Sequence, residues 1–122
     1  MRSGLVGLAL VVGCGSATGP SGDRPSGSYV VTATVNGATA TYAFTVVSAT
    51  DELVTLDWTA GDVRGTFPIR ATAPWNETAY RIQWLGNAQG ANRWLRFTAT
   101  TCSGANLGNT AIHWTSCTIT RP

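Results

Sequence analysis

The sequence predicts an all-β domain: an antiparallel hairpin meander of about seven strands, forming a small up-and-down barrel or a β-sandwich. Three observations carry this. The chain is rich in Thr, Val, Ala, Trp and Tyr and almost lacks helical periodicity beyond its first residues. Turn-forming Gly and Asn clusters recur at short intervals. Apolar residues alternate with polar ones on segments that pair in a consistent register.

The clearest hairpin joins Ser28–Val35 to Ala38–Val47 through Asn36-Gly37. Asn-Gly is the strongest two-residue hairpin signal, because both central positions need positive φ. The register places Val35, Ala33, Val31 and Tyr29 opposite Ala38, Ala40, Tyr42 and Phe44, all on one face. The other face is mostly a ladder of Thr, suited to solvent. A second hairpin is predicted from Leu53–Trp58 and Val63–Ala71 around Ala60-Gly61, pairing Trp58 with Val63 and Asp57 with Arg64. Pro68 marks an edge or a bulge near the end of that strand. Residues 72–77 read as a loop. A third hairpin pairs Thr78–Leu85, with Tyr80, Ile82 and Trp84 inward, with Trp94–Cys102, with Leu95, Phe97 and Ala99 inward. Residues 103–109 read as a turn, and Ala111–Thr120 closes the chain with Ile112 and Trp114 facing the core.

The chain has 122 residues, enough for one core but not two. All eight basic residues are Arg, against six acids, giving a formal charge of +2. That balance argues against nucleic acid as a partner. The N-terminus carries Arg2 and then an apolar run from Leu5 to Val12, too short to span a bilayer as a helix but suited to a secretory signal. Val11-Val12-Gly13-Cys14 resembles the lipobox of bacterial lipoprotein signal peptides. The resemblance implies cleavage after residue 13 and a lipid on the Cys14 sulfur, holding the protein at the membrane. With Gly15 rather than Asp following, it also implies the outer membrane or surface of a bacterial envelope. An ordinary secretion signal with an incidental Cys14 is the alternative. The expected organisation is a signal peptide over 1–13, a Gly/Ser/Pro tether over 14–27 and one β domain over 28–122.

Once Cys14 is set aside, Cys102 and Cys117 remain. They flank the last turn, and a disulfide between them is expected as a structural staple of an exported domain. Its 14 intervening residues correspond to about 3 kcal/mol in the chain-entropy treatment. No Cys-x-x-Cys motif supports a redox role.

No catalytic apparatus stands out. His113 is the single His and alternates with Ile112 and Trp114, which points it outward. A hydrolase using His113 is a remote alternative, since no Gly-x-Ser-x-Gly elbow is present. One His without an acidic cluster gives no metal site, and no cofactor is expected. Asn76-Glu77-Thr78 matches a glycosylation sequon but is incidental behind a bacterial lipobox. The candidate binding surface is aromatic and polar: Trp94, on the opposite face from Leu95 and Phe97 and across from Leu85, with Gln83, Arg96 and the loop residue Trp75. An indole beside hydrogen-bonding side chains suits a sugar or a protein partner. The competing reading packs Trp94 and Leu85 under a loop or against a second sheet.

Arg81-Ile82-Gln83-Trp84-Leu85, a Gly/Asn turn, and Ala91-Asn92-Arg93-Trp94 together resemble a strand pair of avidin-type barrels. The resemblance covers about 15 residues and implies a calyx-like barrel, while that family's polar ligand contacts have no counterpart here. The expectation is a lipid-anchored, non-enzymatic binding or envelope-interaction module for a glycan or a protein. The alternative is a barrel holding a small apolar ligand.

Overall fold

The computed structural model describes residues 24–87, 92–107 and 111–122. Among them there is no helix. Nine strands form one antiparallel sheet: β1 Gly27–Val35, β2 Ala38–Ala49, β3 Leu53–Ala60, β4 Ile69–Asn76, β5 Ala79–Leu85, β6 Asn92–Phe97, β7 Cys102–Leu107, β8 Ala111–His113 and β9 Ser116–Thr120. Their spatial order is β9-β1-β2-β3-β4-β5-β6-β7-β8. Each strand from β1 to β8 thus pairs with its neighbour in sequence, and the sheet curls as a meander into a half-barrel. The expected all-β meander is present, with barrel-like curvature.

The first hairpin has the register that the alternation predicts, from Tyr29 opposite Phe44 to Val35 opposite Ala38. Asn36 and Gly37 take φ of 51° and 78°, the pair of positive values that a type I′ turn requires. Two register shifts in the β2–β3 ladder, at Ala43/Phe44 and Val46/Ser48, add the local twist that bends a sheet.

The second hairpin differs from expectation. Asp57 lies opposite Arg70, not Arg64, and Trp58 opposite Ile69, not Val63. Residues 61–68 form a loop rather than a strand. Gly61 and Gly65 have φ of 118° and 128°, outside extended geometry, and Pro68 has no N–H to give to a ladder. The segment 72–77, expected as a loop, instead completes β4 and turns tightly into β5 at Glu77, whose φ is 62°.

The third hairpin is also shorter than expected. Strand β6 stops at Phe97, and Thr98–Thr101 makes the turn, so Ala99 lies in the turn and not on the inner face. The Thr98 hydroxyl accepts from the Thr100 and Thr101 amides, a local side-chain bond that competes with strand extension. Residues 103–107, expected as part of a turn, belong to β7, which starts at Cys102. The final strand is broken after His113. Ile112 consequently faces solvent at 42% exposure, against expectation, while Trp114 is buried as expected.

That break closes the fold. The Trp114 amide donates to the Gly104 carbonyl of β7, and the next amide, Thr115, donates to the Thr34 carbonyl of β1. The last segment therefore leaves one end of the sheet and joins the other. Cys102 on β7 and Cys117 on β9 are disulfide-bonded across this junction, with Cα atoms 5.6 Å apart. Gly104 is glycine because the Trp114 ring occupies the space a Cβ would take.

The core is aromatic. Trp58, Tyr29, Tyr80, Phe44 and Phe97 are its largest fully buried side chains. At one end, Tyr42 stacks on Trp114 at 6.0 Å and meets Trp84 edge-on at 5.4 Å, while Trp58 and Trp84 approach to 4.9 Å. Burying such rings supplies most of the driving force for a domain of this size.

The folded region begins earlier than the expected tether boundary. Gly27 is already in β1, Pro25 is fully buried, and Arg24 pairs with Asp51 at 2.5 Å. Arg121 donates to the Ser26 carbonyl and to the Tyr29 hydroxyl, tying the last strand to the first. The expected signal peptide, the Cys14 lipid site and the rest of the tether lie outside the described residues.

Candidate functional site

The expected binding residues fall into two places. On the outer face of β5–β8, Gln83 lies directly opposite Trp94, which in turn faces Ala105, which faces His113. The residue across from Trp94 is thus Gln83 and not Leu85. Leu85 pairs with Asn92 on the same face and is 50% exposed. Arg81 and Arg96 are cross-strand partners there. The Arg81 guanidinium sits 5.6 Å from the Trp94 ring centre, a cation–π contact, and the His113 ring meets the same indole edge-on at 6.1 Å. Arg96 donates to the Asn76 carbonyl and the Thr78 hydroxyl, which holds its guanidinium at the β4–β5 turn. Arg81 and Arg96 have no carboxylate partner among the described residues.

Trp75 does not join this surface. It lies opposite Tyr80, meets that ring edge-on at 4.9 Å and packs on the rim of the core. The structure brings together Gln83, Leu85, Trp94 and Arg96 and leaves Trp75 apart. Arg81 was missed as a neighbour, although its parity with Gln83 already puts the two on one face. His113 is exposed, as its alternation predicts, and its side chain bonds no hydroxyl or carboxylate among the described residues. Among the described residues no group of three or more His, Cys, Asp or Glu could hold a metal ion.

Sequence reasoning also missed an inward arginine. Arg93 lies opposite Trp84, on the core side, with 14% of its side chain exposed. It donates to the Asp62 carboxylate at 2.7 Å. Asp62 also accepts from the Asn87 amide through its carboxylate and from the Trp84 indole through its carbonyl, at 2.7 and 3.1 Å. A half-buried charge with this many partners pins the loop 61–68 to the end of β5. Burial raises the Tyr42 hydroxyl pKa above the ordinary tyrosine value, while the hydrogen bond and charge of Arg93 oppose the rise.

A crevice opens where β4 and β5 separate. Their ladder holds only Trp75–Tyr80 and Asn76–Ala79. Beyond it lies a cavity of about 330 Å³ lined by Trp58, Val63, Arg64, Ile69, Ala71, Gln83, Trp84 and Leu85. A hollow of about 510 Å³ by Arg24, Ala49, Thr50, Asp51 and Glu52 holds the Arg24–Asp51 ion pair.

No family model, curated protein or solved structure matches the chain.

Proposed function

We propose that this chain is an exported, lipid-anchored binding module of a bacterial envelope, without chemistry of its own, that takes a glycan on the outer face of β5–β8. The observation that supports this most is the surroundings of Trp94. Its indole stays on the outer face, with Gln83 directly across and Arg81 and Arg96, which have no carboxylate partner among the described residues, beside it. An indole offers a sugar ring a stacking surface, and the amide and guanidinium groups supply directional donors to hydroxyl or acidic substituents. The Arg81–Arg96 pairing sets two like charges opposite each other, an arrangement that a bound anionic group would relieve. The lipid anchor rests on the Val11-Val12-Gly13-Cys14 motif.

A ligand held inside the barrel has less support, because Tyr42, Trp58, Trp84 and Trp114 fill that end with their own rings. The test is a glycan array probed with the protein and its Trp94→Ala variant. The expected outcome is a saturable signal that falls about tenfold or more in the variant while the urea midpoint changes little. Equal binding by both proteins, or no glycan signal at all, overturns the reading.

A further inference from the structure

We propose that the crevice between β4 and β5 is a second binding site, for a compact aromatic or branched apolar molecule bearing one carboxylate. This inference does not rest on the outer-face reading, although Gln83 and Leu85 border both places. Its floor is apolar: Trp58 and Trp84 are 1% and 8% exposed, and Ile69 and Ala71 line the wall from the inner face of β4. At about 330 Å³ it lies at the lower end of volumes that hold small ligands.

One charged side chain gives the site its chemistry. Arg64 lines the crevice and has no carboxylate partner among the described residues. Its backbone is fixed at the rim, because its amide donates to the Leu85 carbonyl at 2.8 Å. The same loop is held through Asp62 to Arg93, Asn87 and Trp84, so Arg64 projects from an anchored segment. The Trp58 indole N–H is buried beneath this lining, so its own hydrogen bonding is not part of the site. An apolar body against the tryptophans with a carboxylate on Arg64 satisfies the shape and the charge together.

The experiment titrates nitrogen-labelled full-length protein with naphthoate and, separately, with the uncharged naphthamide, following the tryptophan indole N–H resonances. Naphthoate is expected to bind saturably below about 1 mM, shifting the Trp58 and Trp84 signals and leaving Trp94 unmoved. Arg64→Ala is expected to weaken naphthoate by about tenfold while changing naphthamide far less. Ala71→Leu, which places bulk in the crevice, should weaken both, and its indole spectrum reports whether the fold survives. Shifts centred on Trp94, no saturation, or an Arg64→Ala protein that binds naphthoate as before would each overturn the assignment. Because the outer-face reading is tested by Trp94→Ala and glycans, either can fail alone.

Discussion

The curled sheet has two junctions, and they are built in opposite ways. Where β7, β8 and β9 meet, the last strand passes from one end of the sheet to the other. There the consecutive amides of Trp114 and Thr115 bond to different strands, and the Cys102–Cys117 disulfide spans the step. Where β4 and β5 meet, the ladder ends after two residue pairs and side chains of the loop 61–68 take its place. One junction is covalent and filled by an indole. The other is held by the charged network of Asp62 and leaves a crevice. A small sheet can keep one side open when the other is stapled, because the staple limits how far the unfolded or partly opened chain can separate.

This contrast can be broken at its strongest point first. Trp114→Ala removes the ring that fills the space over Gly104 and stacks on Tyr42. Urea unfolding should show a loss of about 3–5 kcal/mol, the range for deleting a buried large aromatic. A loss under about 1 kcal/mol would mean that the closed junction does not depend on its indole. Next comes the staple itself. The Cys102→Ala, Cys117→Ala double variant should lose about 3 kcal/mol, with reduction of the native protein giving a similar shift in thermal midpoint.

At the open junction, Asp62→Asn leaves Arg93 without its carboxylate partner in a site that is 14% exposed. The expected cost is about 1–3 kcal/mol, together with faster hydrogen exchange at Arg64 and Leu85 than anywhere in β1–β3. Uniform exchange across both regions would contradict the assignment of Asp62 as the pin of this junction.

The smallest effect sharpens the comparison by pH. Hydrogen bonds from Arg70, and then its charge, hold the Asp57 carboxyl below its ordinary pKa. A depressed native pKa gives stability that is present above the ordinary carboxylate value and lost as pH falls through the native one. At alkaline pH the sign reverses. Burial raises Tyr42 and Tyr80 in the fold, so stability is complete below the ordinary tyrosine value near 10.0 and declines as pH rises beyond it. Unfolding curves taken across pH should show a small acid decline that is absent in Asp57→Asn, and an alkaline decline that persists in that variant.

The parts of the fold that were legible share a physical reason. Asn36-Gly37 selects one turn geometry, and that turn leaves the flanking alternation a single register. In the second hairpin no such turn exists. Moving the partner of Asp57 from Arg64 to Arg70 is a shift by an even number of residues. Faces and charge pairing look equally good in both registers, so alternation cannot choose between them. The buried Val63 and the geometry at Gly61 and Gly65 decide it in the folded protein. The candidate surface was legible to a similar degree. Parity placed Gln83, Leu85, Trp94 and Arg96 on one face, while Trp75 was separated from them because its segment proved to be strand rather than loop.

By itself the sequence determined the all-β class, the first hairpin, the inward Trp58, Trp84 and Trp114, and the Cys102–Cys117 pair, since each follows from local alternation, turn chemistry or cysteine number. Only the tertiary structure decided where the sheet closes and where it opens. The handover at Trp114-Thr115 and the separation of β4 from β5 both depend on contacts between residues far apart in the chain, with Thr115 bonding Thr34 and Arg64 bonding Leu85. Such contacts form only when the curvature of the whole sheet brings its edges together, and no short-range pattern encodes that distance.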